Sequence, residues 1–293
     1  MFVATLIAGD VLRHEDIAAA RDAIAGAGGA PEPHTWIDED IAADILFNGD
    51  PVAARNAIAA LDLPVDHVVQ PIAHREKRLL IADMDSTMIT VECIDELADY
   101  AGLKAEVAAV TERAMRGELD FAAALDGRVA LLKGMEESVL DLCRTERVRL
   151  TPGARVLIRT LRARGCHTVL VSGGFTHFTG PVAKEIGFHD AVANVLEIAE
   201  GRLTGTVRTP IVDAERKRTE LIGHAAELRI DLSDTVAIGD GANDIPMIAA
   251  AGLGIAYHAK EKARAAADAA IDHGDLTVVL HAMGIARRDW AKD

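Results

Sequence analysis

Aromatic residues are scarce in this chain: six Phe, two Tyr and two Trp amount to 3% of 293 residues. With 50% of residues hydrophobic, any core must be filled by Ala, Val, Ile and Leu. Bases are also in deficit, with 31 Lys and Arg against 46 Asp and Glu and a formal net charge of −15. A field of that sign attracts no phosphate backbone, which excludes a nucleic-acid-binding role. Cysteine is limited to Cys93, Cys143 and Cys166, an odd and widely spaced set. There is no Cys-x-x-Cys pair and no His cluster at zinc spacing, so a reducing compartment is expected. Met1 to Gly9 has apolar residues but neither a basic leader nor a long apolar run. Neither a signal peptide nor a membrane span is read there, and the expected location is the cytosol.

What the chain does contain is concentrated in one stretch, where Leu79-Leu80-Ile81-Ala82 feeds directly into Asp83-Met84-Asp85-Ser86-Thr87. A short apolar run before polar residues suits a strand covered on both faces, as in a parallel sheet, although a buried helical turn reads the same way. Ligands of open α/β sheets bind beyond the carboxyl ends of the strands. Asp83 and Asp85 alternate with Met84, so their carboxylates flank a common point, and they repel unless a metal or a proton separates them. Alone, the pentapeptide reads equally as an acidic turn.

The same design recurs twice. His167 to Val171 leads into Ser172-Gly173-Gly174-Phe175, and Thr235 to Ile238 leads into Gly239-Asp240-Gly241-Ala242-Asn243-Asp244. Asp240 and Asp244 lie one helical turn apart, so both can serve one cation, and hard oxygen donors select Mg²⁺ over zinc. Lys217 stands between these stretches in a helical pattern, flanked by Arg216 and Arg218, so by itself it fits a solvated helix face equally well. Taken in order, the stretches resemble the four motifs of the haloacid dehalogenase-like hydrolases: Asp-x-Asp-x-Thr, a Ser after the second strand, a Lys, and Gly-Asp-Gly-x-x-Asp. That resemblance implies a Rossmann-like parallel sheet core of α/β class, over about residues 75–293.

Two further regions surround this core. Residues 1–74 carry the pattern β-α-β-β-α-β, which resembles a small α+β ferredoxin-like domain of ACT type, with Gln70 to Lys77 as a linker. Residues 88–150 form a run of four helical segments, Val91 to Ala101, Lys104 to Arg116, Asp120 to Lys133 and Glu136 to Arg147, mostly punctuated by glycines where C-caps are expected. Their place between the first and second motifs resembles the helical cap of one branch of the hydrolases, a lid that excludes water. After the second motif, a hairpin is expected to turn at Glu200-Gly201. Leu253 to Ala256 reads as a last strand, Lys260 to Ala270 as a helix, and Asp272 to Asp275 as a loop near the site.

Within the cap, Glu92 falls seven positions after Asp85 and Arg128 is the lone base in Leu125 to Leu132. Glu92 fits an acid favoured by a helix dipole as well as one aimed at the site. Arg128 fits either a snorkelling surface side chain or an inward cation in need of an anion. The pair, with Asp-x-Asp-Ser-Thr, Arg-Val-x-Leu-Leu, Ser-Gly-Gly-Phe and Gly-Asp-Gly-Ala-Asn-Asp, is similar to the phosphoserine phosphatase family from about Leu79 to Leu280. The resemblance implies hydrolysis of O-phospho-L-serine to L-serine, the last step of serine biosynthesis, with Asp83 as nucleophile forming an aspartyl-phosphate and Asp85 as general acid and base. It implies Mg²⁺ on Asp83, the backbone carbonyl of Asp85 and Asp240, with Asp244 close by. Ser172, Gly173 and Lys217 would hold the phosphoryl oxygens, Asn243 would help place the substrate, and Glu92 and Arg128 would read its ammonium and carboxylate. A phosphotransferase acting on homoserine would use the same motifs. L-serine as a feedback ligand and a second copy of the chain complete the expected partners.

Overall fold

The structure is a computed structural model that describes residues 1–115 and 118–292; the expected helix end at Arg116 and Gly117 lies outside them. The chain begins with β1 (Phe2–Ala8), α1 (His14–Gly26), β2 (Ala30–Pro31), β3 (Thr35–Asp38), β4 (Ala42–Asn48), α2 (Pro51–Ala59) and β5 (Val65–Pro71). β1 lies between β4 and β5, antiparallel to both, while β2 and β3 add to β4. The two-residue β2 is one element more than the sequence pattern contains, because so short a strand leaves no periodicity. α2 starts where Asp50 accepts hydrogen bonds from Val52 N and Ala53 N ahead of Pro51, the cap and N1 proline a helix start favours. Strand alternation divides the sheet faces. Ala4, Leu6 and Ala8 pack with Ile17, Ile24 and Ile58 of the two helices, whereas Ile7, Ala42 and Val68 turn into the larger core.

The larger sheet starts at β6 (Leu79–Ala82). Then come α3 (Cys93–Tyr100), α4 (Lys104–Met115), α5 (Phe121–Leu131), α6 (Ser138–Arg147), α7 (Ala154–Ala163), β7 (His167–Phe175) and α8 (Thr176–Ile186). β8 (Asp190–Ala199), β9 (Arg202–Arg208), α9 (Ala214–Leu228), β10 (Thr235–Gly239) and α10 (Ile245–Ala250) follow, and the chain closes with β11 (Leu253–Tyr257), α11 (Glu261–Ala266), β12 (Ala269–Ile271) and α12 (Val278–Ala282). The strand order is β12-β11-β10-β6-β7-β8-β9, parallel throughout except for the β8–β9 hairpin. β6 is central and all four of its residues are buried, which is why its sequence is purely apolar. From β6 the chain fills one side through β9 and then crosses to β10, so the strand order reverses beside β6 and opens a crevice there. The hairpin turns at Glu200 and Gly201, both with positive φ, the condition of a type I′ turn.

Element ends differ from the sequence reading for local reasons. α3 begins only at Cys93, with Glu92 as its cap residue, and α5 begins at Phe121 because the Asp120 carboxylate accepts from Ala123 N. α6 begins at Ser138, since Glu136 is drawn into a bridge with Arg202 of β9. The stretch Lys260 to Ala270 is not one helix. Gly254 N donates to the Asp268 carboxylate and Asp268 N to the Gly254 carbonyl, which stops α11 at Ala266 and adds β12 beyond β11 despite the helix propensity of its alanines. Among the described residues no helix is long and apolar enough to cross a membrane.

The stretch between the sheets is pinned rather than slack. Arg75 forms a two-pronged pair with Asp44 at 2.6 and 2.7 Å and donates to the Ala282 carbonyl, while Gln70 Nε2 donates to the same carbonyl at 2.8 Å. The loop Asp272 to Gly274 docks on β5, where the buried Asp66 carboxylate accepts from Asp272 N, His273 N and Gly274 N at 2.7, 3.1 and 2.8 Å. Asp66→Ala orphans three N–H groups, and we expect a loss of roughly 3 kcal/mol in unfolding free energy by urea denaturation, with Asp66→Asn losing less. A wild-type midpoint in Asp66→Ala would show that this junction contributes nothing to stability.

Candidate active site

The carboxyl end of β6 delivers the first acid. Asp83 N donates to the Ile238 carbonyl of β10, which continues the sheet pairing by one residue and fixes where the Asp83 side chain emerges. The chain then turns sharply: Asp85 has φ −65° and ψ 135°, and Ser86 has φ 55° and ψ 5°. This is type II turn geometry with a serine where glycine is usual. The Ser86 hydroxyl donates to Glu92 Oε1 at 2.7 Å and ties the turn to the start of α3.

Asp83 and Asp85 occupy different environments. Asp83 Oδ1 accepts from Met84 N and lies 2.7 Å from Lys217 Nζ. Its carboxyl is held above the usual range by burial and by Asp244, with Lys217 opposing. Asp85 Oδ1 accepts from Cys93 N at 2.9 Å, and its Oδ2 accepts from Ser172 Oγ at 3.2 Å. Burial and the Glu92 charge push Asp85 up to about 6. The first acid is thus paired with a buried ammonium, and the second is raised to where a proton can be carried near neutrality.

Lys217 comes from the first turn of α9, whose start is capped by the Asp213 carboxylate on Arg216 N. It is the neighbour with no exposure, at 1%, and it bridges Asp83 and Asp244 at 2.7 Å each. Burial lowers its ammonium, but Asp244 and Asp83 outweigh that and hold it above its ordinary value. Asp244 in turn accepts Asp240 N and Gly241 N on Oδ2. Gly239 makes room for it, since a Cβ there would meet Asp244 Cγ at 2.4 Å. Asp240 is pushed up to about 6 by burial and then Asp244. Asp83, Asp240 and Asp244 bring carboxylate oxygens within 4.8 Å of one another. Three buried acids against one ammonium leave excess negative charge, and an all-oxygen donor set of that span fits a hard divalent cation. The side chain of Asp85 is not in this group; it points instead to Ser172 and Cys93.

The remaining expected residues converge on the same end of the sheet. Ser172 is fully buried, donating to Asp85 and accepting Gly174 N at 2.8 Å. Gly173 sits under Phe121, which a Cβ would meet at 3.1 Å, and at Gly174 a Cβ would meet Asp85 Oδ2 at 2.7 Å. Asn243 is half-buried, its amide oxygen laid against Gly241. Arg128 is half-buried on α5 with Nε donating to the Ala124 carbonyl, and the charges of Asp95, Glu92 and Asp85 bear on it. Glu92 is exposed.

Sequence reasoning passed over Asn194. Its buried amide donates to the Gly173 carbonyl at 2.8 Å and accepts Val212 N at 2.7 Å, joining the Ser172 turn to the segment that leads into Lys217. An Asn inside a strand pattern was the available signal, because Asn is depleted in strands. Cys93 was also missed, as its contribution is a backbone N–H to Asp85. Replacing Lys217 by Met leaves Asp83 and Asp244 buried without their cation. We expect Lys217→Met, assayed with a chelator present, to lose roughly 3–5 kcal/mol of stability; a loss under about 1 kcal/mol would contradict the clamp.

Comparison with known proteins gives the family. The sequence profile of the haloacid dehalogenase-like hydrolases matches residues 80–249. A phosphoserine phosphatase from Streptomyces coelicolor is 49% identical over 231 residues, covering 79% of this chain and 56% of that protein, so the chain spans little more than half of that relative's length. Among solved structures, a HAD family hydrolase from Salmonella enterica superposes with a TM-score of 0.83 at 28% identity, over 97% of this chain and 99% of its own. A probable phosphoserine phosphatase from Vibrio cholerae, in unliganded form, gives a TM-score of 0.77 at 35% identity, over 98% of this chain and 87% of its own. With its motifs matched in order and its acids and lysine gathered at one end of a parallel sheet, the chain belongs to the haloacid dehalogenase-like hydrolases.

Proposed function

We propose that the chain is a Mg²⁺-dependent phosphoserine phosphatase that forms an aspartyl-phosphate on Asp83 and releases L-serine, serving as the last step of serine biosynthesis. Lys217 and Met84 N occupy Asp83 Oδ1, so Oδ2 is the nucleophile. It attacks phosphorus as the bond to the seryl oxygen breaks, and that oxygen leaves with the proton of Asp85. Asp85 then takes a proton from water, which attacks the same phosphorus, releases phosphate and restores Asp83. Asp83, the Asp85 carbonyl and Asp240, with Asp244 alongside, would hold Mg²⁺, which when bound would supply positive charge against the phosphoryl group. The Ser172 hydroxyl, Gly173 N and Lys217 meet the phosphoryl oxygens, and Asn243 helps seat the substrate.

The observation that carries the substrate is Arg128. Among the described residues its recorded hydrogen bond is to its own helix, at Ala124, and it is half-buried with Glu92 and Asp85 close enough to act on its charge. An inward guanidinium of this kind suits the α-carboxylate of an amino acid, and the exposed Glu92 carboxylate suits its ammonium. Helices α3 to α6 act in this reading as the cap over residues 88–150. The segment 1–74 acts as an ACT-type module, in which L-serine is the feedback ligand and a second copy the partner.

The test is phosphate release from O-phospho-L-serine and from p-nitrophenyl phosphate. Arg128→Ala is expected to raise KM and to lower kcat/KM for phosphoserine roughly 10- to 100-fold, about 1.4–2.8 kcal/mol, while barely changing the poorer ester. Equal fractional loss on both substrates would remove the support for phosphoserine. In the same assay Asp83→Asn is expected to abolish turnover, and near-normal turnover would end the covalent mechanism.

A further inference from the structure

A second cluster of metal-ligating side chains lies at the opposite, amino-terminal end of the sheet. His167 opens β7, Asp190 opens β8 and His224 sits on α9, and one donor atom from each falls within 4.8 Å of the others. His167 Nε2 is 2.7 Å from Asp190 Oδ2. The His167 and His224 rings lie 5.7 Å apart, 31° from parallel. Glu220, one turn before His224, accepts from Arg216 Nε on Oε1 at 2.6 Å and places Oε2 3.7 Å from His224 Nε2, so Oε2 is the oxygen left beside the cluster. These residues are far apart in sequence, so no spacing motif announces them.

The surroundings are those of a supported site. His189 stacks on His167 with centroids 4.6 Å apart. Its Nδ1 accepts Thr168 N at 3.1 Å, which leaves the proton on Nε2 and makes His189 a fixed wall rather than a ligand. Arg162 is the nearby cation that bears on His189, and its guanidinium is engaged by the Gly187 carbonyl. His224 and Glu220 keep side-chain exposures of 18% and 14%, and His167 keeps 23%; the site is open to a solvated ion yet partly shielded. Two imidazoles and a carboxylate favour a borderline divalent transition metal over Mg²⁺. Bonds of about 2.0–2.2 Å set tetrahedral donors roughly 3.4 Å apart, so the ion would take the place of the His167–Asp190 contact, which opens from 2.7 Å, while donors as far apart as 4.8 Å draw in.

We propose that His167, Asp190 and His224, with Glu220 beside them, form a structural site for a zinc-like divalent transition-metal ion, separate from the acidic site at the other end of the sheet. Such an ion cross-links β7, β8 and α9. Because His224 lies two turns beyond Lys217 on the same helix, about 10 Å along it, the ion anchors the far end of the element that carries the catalytic-end lysine.

The test titrates Zn²⁺ into the untagged full chain in saturating Mg²⁺, using a chromophoric chelator as competitor and the imidazole NMR signals as the site-resolved readout. The expected result is one Zn²⁺ per chain in the low micromolar range or tighter, with shifts at His167 and His224 and a rise in thermal midpoint. His224→Gln and Asp190→Asn should each weaken Zn²⁺ at least tenfold, and Asp83→Asn should not. No Zn²⁺ bound in that range, unchanged affinity in His224→Gln, or shifts at His14 and His34 in place of His167 and His224 would overturn the proposal. The NMR experiment uses the wild-type chain, so it decides the matter even if a variant fails to fold.

Discussion

One buried ammonium holds the catalytic end together. Lys217 Nζ lies between Asp83 and Asp244 at 2.7 Å from each, and all three side chains are almost wholly out of water. None of them can be buried alone without a large penalty, so each position presupposes the others. Asp83 is set by one added sheet bond from β6 to β10, and Asp244 by two backbone N–H groups and by the bare Cα of Gly239. Lys217 is set by a capped helix start whose approach is tied through Asn194 to the Ser172 turn. Segments distant in sequence thus meet on one charge.

That arrangement also separates two chemically identical side chains. Asp83 meets the Lys217 ammonium and lies beside the buried Asp244, whereas Asp85 meets a serine hydroxyl, a backbone N–H and the repulsion of Glu92. In the proposed mechanism these two environments suit a nucleophile and a proton carrier made from one residue type. Gly174 is part of the device, because any Cβ there would collide with Asp85 Oδ2.

Much of this was legible because it is written in residue types that ordinary burial does not tolerate. Acids directly after a four-residue apolar strand read equally as an acidic turn when alone, but Asp-Gly-x-x-Asp after another apolar strand is costly unless something charged is bound. The apolar runs suited buried strands without excluding a helical turn, the resemblance to the hydrolases made them a parallel core, and the hairpin followed from Glu200-Gly201. What stayed hidden depends on contacts between distant segments. Asn194 and the backbone N–H of Cys93 act through partners that no local pattern names, and Asp268 turned an alanine-rich helix pattern into the edge strand β12. Gln70 to Lys77 reads as a linker, yet Gln70 belongs to β5, and Gln70 and Arg75 spend their polarity on Ala282 and Asp44. The histidines of the second cluster come from three elements that only the sheet brings together.

The claim on which the account rests is that Asp83 is the group that becomes phosphorylated. Acid-quenched enzyme, captured during turnover of O-phospho-L-serine and reduced with borohydride, tests it directly, because reduction of an aspartyl-phosphate leaves homoserine at the modified position. Peptide mass spectrometry is predicted to find homoserine at residue 83 and nowhere else. Full turnover with the modification at Ser172, at Asp85 or at no residue would contradict the account.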